Sequence, residues 1–194
     1  MPTPRRTSLA EIVREGRRIL ETDGLEQLTM LRVAHAVGVR APSLYKHVRD
    51  RGDLIRLIGN DAVEELAARL TAAAGHADPR QDLQAMARAH RAFAHHYPET
   101  YRLLWSRLPE HWRFDAQLNV RASEPMLRTV AALVGEADRL MAARLLVAWL
   151  HGFLSMELAG AFRLGGDVDA AFEYGMERLT SSLSQVLTRD RWVT

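Results

Sequence analysis

The chain of 194 residues contains no cysteine. That absence excludes a disulfide framework, a thiolate nucleophile and any zinc site built on sulfur. Long apolar runs are also missing. The longest stretch without a charged residue, 145–156, has twelve residues, short of the roughly 20 that cross a bilayer as a helix. Nothing behind Met1-Pro-Thr-Pro-Arg-Arg resembles an apolar leader, so a cytoplasmic location with no membrane partner is the expectation. Strand formers are scarce: Ile and Val together number 17 against 55 for Ala and Leu, and no segment alternates polar and apolar residues for long, so the fold class is all-α. Enzyme signatures are missing as well. There is no His-Glu-x-x-His, no Gly-x-Ser-x-Gly and no Gly-x-Gly-x-x-Gly. His90, His95 and His96 are not spaced to share one helix face, and the adjacent Glu64 and Glu65 point at different angles. No catalytic residue, metal site or cofactor is expected.

What is present is an ordinary globular balance, 47% apolar and 26% charged, with an uneven charge distribution. Residues 1–60 hold 11 Lys or Arg against 7 Asp or Glu, whereas residues 61–194 hold 15 against 17. A basic front and a mildly acidic remainder suit a front that meets a polyanion; scatter among so few charges is the plainer alternative.

Proline and glycine divide the helical patterns. A first helix opens with Ser8 as N-cap and Glu11 as the far half of a capping box, and it stops at Gly24. A second follows Thr29 as N-cap, with Val33, Ala34 and Val37 inward, and ends at Gly38. A third opens near Ala41 with Pro42 in its first turn and turns Leu44 and Val48 inward. Helix four, about 50–74, carries Leu54, Ile58, Ala62, Leu66 and Leu70 on one stripe. Further helices are expected at about 80–96, 98–107, 112–134 (kinked or split at Pro125), 136–164 and 168–189, making about nine.

Two short helices of eight to ten residues, joined by Gly38-Val39-Arg40, form a helix-turn-helix arrangement. The second of them can lie in a major groove. It presents Arg40, Ala41, Pro42, Ser43, Tyr45, Lys46 and His47, with no carboxylate before Asp50. A three-helix corner with a solvated face gives the same pattern. The run LTMLRVAHAVGVRAPSLYKHVRDRGDL, residues 28–54, resembles the DNA-binding domain of TetR-family transcriptional regulators. The likeness lies in the Thr before the second helix, Ala34, the Gly-Val turn, the Leu-Tyr-x-His of the recognition helix, and the basic residue and Leu that open helix four. It implies that Thr29 contacts phosphate while capping its helix and that Arg40, Pro42 and Ser43 face base edges. It further implies that Tyr45 and His47 contact the backbone, that Lys46 lies near base or backbone, and that Arg51 grips phosphate. Met30, Ala41-Pro42 and Val48 depart from the usual residues. Ala41 and Pro42 have no hydrogen bond to offer a base and could touch only a thymine methyl. Arg5 and Arg6 would add a basic arm.

In the second half, 140–162 is apolar around its whole circumference and needs cover on both sides. One side has Leu140, Val147, His151, Leu154 and Leu158; the other has Leu145, Trp149, Gly152, Phe153 and Met156. The last helix has a narrower stripe, Phe172, Met176, Leu179, Leu183 and Leu187. Two such helices meeting their two-fold mates would make a four-helix bundle; a core helix in a monomer is the alternative. Trp149, Leu150, His151, Gly152 and then Met156-Glu-Leu-Ala-Gly160 are similar to the C-terminal domain of a TetR subgroup called WHG, which points to a homodimer. The dimer contact is expected at Leu154, Leu158, Phe162, Met176, Leu179 and Leu183. A surplus of large side chains makes Met86, Phe93, Tyr101, Trp105, Trp112, Met126, Trp149 and Phe153 candidates for a pocket holding an apolar or aromatic effector. Each of them is also ordinary core material, and it is the resemblance that favours a pocket.

The resulting expectation is an all-α chain with a helix-turn-helix domain over 1–54, helix four connecting, and a ligand-binding and dimerisation domain over 75–194. It would be a transcriptional regulator that binds a double-stranded palindromic operator as a homodimer and answers to a small apolar effector. A helical dimeric adaptor whose second domain binds a protein instead is the alternative.

Overall fold

The structure, a computed structural model, describes residues 7–185. Arg5, Arg6 and Leu187 lie outside the described residues. Within them the chain is all-α, as its composition implies. Nine helices follow one another: α1 Leu9–Asp23, α2 Met30–Ala36, α3 Ala41–Leu44, α4 Arg51–Ala73, α5 Pro79–His96, α6 Pro98–Trp105, α7 Ala116–Val134, α8 Arg139–Leu158 and α9 Val168–Gln185, with 3-10 turns at Leu25–Gln27 and Glu110–Trp112.

The caps explain most boundaries. Ser8 Oγ accepts the Glu11 amide at 3.2 Å, while the Glu11 carboxylate accepts the Thr7 hydroxyl at 3.1 Å instead of reaching back to Ser8. Gly24, at φ 83°, returns its amide to Leu20. Three boundaries differ from the sequence expectation. α7 starts at Ala116 because Asp115 Oδ1 accepts the Gln117 and Leu118 amides at 2.8 and 3.3 Å, and it runs through Pro125 as one helix. α8 stops at Leu158 because Gly160, at φ 62°, lets its own amide bond Glu157 O and the Ala161 amide bond Met156 O, each at 2.9 Å; such a left-handed glycine closes the helix before the Gly165-Gly166 pair is reached. α3 has one regular turn only.

Two compact units result, one of residues up to Glu65 together with Tyr97–Val120, the other of Leu66–His96 with Arg121 onward. In the first, Ile12, Leu20, Leu28, Val33, Leu44, Val48, Leu54 and Ile58 form a closed apolar core that Leu103 of α6 completes. Gly16 lets α4 come close to α1: a Cβ there would stand 2.9 Å from Ile58 Cδ1. The Glu21 carboxylate holds the start of α6 by accepting the amides of Glu99 and Thr100 at 3.1 and 2.7 Å, a carboxylate placed where a helix has free N–H groups and a positive end.

In the second unit α5 packs on α8 and α9. Trp149, Phe153, Phe162 and Phe172 form an aromatic cluster with centroids 4.9–5.8 Å apart. Gly175 admits the Trp149 ring, since a Cβ there would meet Trp149 Cζ2 at 2.2 Å. Ion pairs tie the same helices: Arg88 grips Glu173 through two bonds of 2.8 and 2.6 Å, and Arg91 reaches Glu157 and, at 2.5 Å, Asp169. The twenty-residue α8 is long and apolar enough by composition to cross a membrane. Here it is a packed helix with one face left outward.

Candidate nucleic-acid interface

Thr29 caps α2, its Oγ1 accepting the Arg32 amide at 3.3 Å. Gly38, at φ 71°, ends it, with the Val39 amide on Ala34 O at 3.0 Å and the Gly38 amide on His35 O at 3.1 Å. This paired closure needs a left-handed residue, and glycine takes that conformation without a Cβ penalty. Arg40 is extended at φ −80°, ψ 145°, and α3 begins at Ala41 with Pro42 in the first turn. Instead of the eight to ten residues expected, regular helix ends at Leu44. The backbone still curls on: the His47 and Val48 amides both bond Leu44 O, at 2.8 and 3.0 Å.

That curl puts Leu44 and Val48 in the core, 0% and 1% exposed. On the opposite side Arg40, Pro42, Tyr45, Lys46, His47 and Arg49 are exposed, with Ala41 and Ser43 half-buried between them. Among the described residues Arg40, Lys46 and His47 make no ion pair. Of the two carboxylates at the start of α4, Asp50 is exposed and Asp53 is turned in. Asp53 is buried, and its carboxylate accepts the Arg49 amide at 3.0 Å and an Arg56 Nη2 at 2.6 Å. Burial alone would raise its pKa; these donors outweigh that and hold the carboxyl below the usual range. Asp50 caps the same turn, Oδ1 accepting the Asp53 amide at 2.8 Å.

Arg51, expected to grip phosphate, is half-buried and holds its own chain: its Nε donates to Leu28 O at 2.7 Å and its Nη2 to Leu25 O at 2.6 Å, with the guanidinium 5.4 Å from the Trp112 ring. The turn between α1 and α2 leaves carbonyls without helical partners, and Arg51 satisfies them from the start of α4.

Trp112 is a correction. It belongs to the first unit, packed against the core of the helix-turn-helix, so it lines no pocket in the second. Tyr101 and Trp105 also belong to the first unit; Tyr101 is 1% exposed, burial pushing its phenol pKa upward, and Trp105 is 43% exposed. Met86 and Phe93 are fully buried on α5, Met126 is half-buried, and Trp149 and Phe153 stack within the second unit's aromatic cluster. His90, also on α5, went unassigned in the sequence. Burial, with a smaller contribution from His151, pushes its pKa down to about 4, so it is a neutral imidazole at ordinary pH.

Of the residues expected at a dimer contact, Leu154 and Met176 are corrected: they are 0% and 3% exposed within the single chain and have no surface to give a second copy. Leu158, Leu179 and Leu183 are half-buried, and Phe162, just past α8, leans on Phe153 at 4.9 Å. The outward row of α8 is instead Met141, Leu145 and Met156, with the small, exposed Ala148 and Gly152 between them.

Residues 83–179, half of the chain, match the family described as tetracyclin repressor-like, C-terminal domain. The chain belongs to the TetR family of transcriptional regulators. An uncharacterized HTH-type transcriptional regulator of Mycobacterium tuberculosis, Rv0681, is 29% identical over 192 residues, 95% of this chain and 85% of that protein. The fold is also that of the TetR-family regulator SCO7222 from Streptomyces coelicolor, at a TM-score of 0.74 and 20% identity over 93% of this chain and 99% of that one. A TetR-Q116A from Acinetobacter baumannii, solved with minocycline, matches at a TM-score of 0.71 and 20% identity over 96% of this chain and all of that one. A TetR-family chain is a regulator, not an enzyme.

Proposed function

We propose that this TetR-family regulator is a repressor that binds a palindromic operator as a homodimer through α2, α3 and the curl after α3, and that a small apolar or aromatic molecule modulates the binding. The observation carrying the DNA reading is the division at 40–49: Leu44 and Val48 closed into the core, Arg40, Tyr45, Lys46 and His47 exposed without acidic partners. Affinity would come mainly from cations on phosphate, and selectivity from the few groups at the start of α3. Repression is the family's common direction. The outward apolar row on α8 supports the dimer, which gives two reading heads roughly 34–36 Å apart for the two halves of a palindrome. Buried Met86 and Phe93 in the second unit support an apolar or aromatic effector, and the minocycline, which has an aromatic ring, in complex with an Acinetobacter TetR supports a small-molecule effector.

The test is binding of the purified chain to duplexes enriched from a random-sequence pool, at several salt concentrations. A palindromic consensus and a steep fall of log affinity with log salt are expected; no enriched duplex, or a flat salt response, would remove the DNA reading. Release of that duplex by members of a panel of planar aromatic compounds tests the effector.

A further inference from the structure

We propose that Trp112 and Phe114, outside the helix-turn-helix, are positioning residues for DNA binding: seated on Gly52 and Gly59 of α4, they fix the line of the helix that carries the recognition turn. The inference rests on the reading of α3 as the DNA-reading element.

The seat is built from two matched spacings. Gly52 and Gly59 are seven residues apart, two turns on one face of α4 and about 10 Å along its axis. The segment over them starts with the 3-10 turn Glu110–Trp112, closed by the Trp112 amide on Pro109 O at 2.9 Å and the Arg113 amide on Glu110 O at 3.1 Å. Arg113 is then extended, at φ −62° and ψ 145°, so Trp112 and Phe114, two apart, point to the same side of the backbone while Arg113 faces solvent. Both rings come down where α4 has no side chain. A Cβ on Gly52 would stand 2.0 Å from Trp112 Nε1, and one on Gly59 would stand 1.9 Å from Phe114 Cε1. No residue but glycine fits beneath either ring. Beyond the rings, Asn60 Oδ1 accepts the Asp115 amide at 3.0 Å and pins the strap's end to α4.

Glycine in a helix is a cost in propensity relative to alanine, felt most at the interior Gly59. Here the loss is offset by two aromatic rings laid against backbone. The position of the seat makes it relevant to DNA. Gly52 is the second residue of α4 and lies four residues after Val48, where the recognition turn ends. Arg51, next to it, holds the carbonyls of Leu25 and Leu28 ahead of α2 and lies 5.4 Å from the Trp112 ring. Ring, guanidinium and the entry to α2 thus converge on the first turn of α4. Unseating the rings would leave the reading surface intact residue by residue but free to tilt.

Full-length Gly59→Ala, Phe114→Ala and the double variant test this on a duplex enriched by the wild-type chain from a random pool. Dissociation constant, salt slope, thermal midpoint and preferred half-site separation are the readouts. If a tenth of the heads keep the competent tilt, apparent affinity falls about tenfold. Gly59→Ala and Phe114→Ala are each expected to show such a loss, with an unchanged salt slope, since no phosphate contact is removed, and with tolerance of operators whose half-sites are moved by a base pair. The double variant should bind no worse than Phe114→Ala, because the ring that the new methyl would strike is gone. Wild-type affinity and spacing preference in folded Phe114→Ala overturn the proposal. So does a loss of affinity that merely tracks thermal midpoint with spacing preference unchanged. If Gly59→Ala does not fold, Phe114→Ala alone decides between these outcomes. Failure of the wild-type chain to enrich any duplex would instead overturn the DNA reading itself.

Discussion

Tyr45 and Leu44 are neighbours that face opposite ways: the tyrosine is 55% exposed and the leucine 0%, which leaves Tyr45 for the proposed DNA contact. Tyr45→Ala should therefore weaken operator binding about tenfold, the loss of one backbone hydrogen bond with its stacking area, while stability changes by no more than about 0.5 kcal/mol. Fluorescence anisotropy at fixed salt, beside a urea titration, reads both. His90 gives the opposite case, a residue whose effect is on stability. Its pKa is pushed from 6.5 to about 4 by burial, with His151 adding to the shift. Between those values the unfolded chain binds a proton that the folded chain refuses, so stability is complete above about pH 6.5 and falls as the pH drops toward 4, by about 3 kcal/mol in all. His151 is lowered by burial in the same direction and adds to that slope. Asp53, Glu157 and Glu173 are all held below their ordinary carboxyl values, so their contributions are lost only at lower pH. His90→Leu should flatten the dependence of the urea midpoint between pH 6.5 and 4 and leave the steeper acid limb below it; an unchanged slope would remove His90 as its source.

At the scale of elements, what could be read from the sequence is what acts locally. Ser8, Thr29, Gly24 and Gly38 set helix ends through bonds within a few residues, and the apolar spacing of α1 and α4 names the core directly. What could not be read depends on partners far along the chain. Arg51 looks like a phosphate contact until Leu25 and Leu28, more than twenty residues earlier, offer it their carbonyls. Trp112 looks like pocket lining until Gly52 is beneath it. The only available hint was the pair of glycines seven apart inside a strongly helical pattern, a disfavoured residue repeated on one face. The two roles of a cation can be separated experimentally. Lys46→Ala should lower the slope of log affinity against log salt by about 1, as for one lost phosphate contact. Arg51→Met should leave that slope as it is and lower the stability of the chain by about 1–3 kcal/mol, because the carbonyls it served are left without donors. A reduced salt slope in Arg51→Met would return Arg51 to the DNA.

For the whole molecule, the proposed dimer rests on the α8 row, and with it whether one reading head or two would act together. Met141, Leu145 and Met156 are 63%, 48% and 48% exposed, an unusual density of large apolar side chains on one outward helix face, and such faces mark contact sites. Ala148 and Gly152, exposed on the same face, let a second backbone approach closely. Leu154, on the inward side of the same helix, is fully buried, so a substitution on the outward row can break a dimer without opening the protomer's core. A carboxylate placed mid-row would be desolvated against apolar side chains, with no cation of its own face beyond Arg144 to meet it. Leu145→Glu should therefore weaken dimerisation by about a hundredfold or more, near 3 kcal/mol. Sedimentation velocity at micromolar protein should show a folded monomer for the variant and, on the proposed reading, a dimer for the wild-type chain. Two heads held on one operator bind as a bivalent unit, with an advantage of about 10²–10⁴ over either head alone, so the same variant should lose operator affinity over that range although residue 145 is remote in sequence from every reading residue. A Leu145→Glu chain that stays dimeric would move the interface off this row, and one that becomes monomeric yet binds the operator as tightly as before would show that a single head suffices.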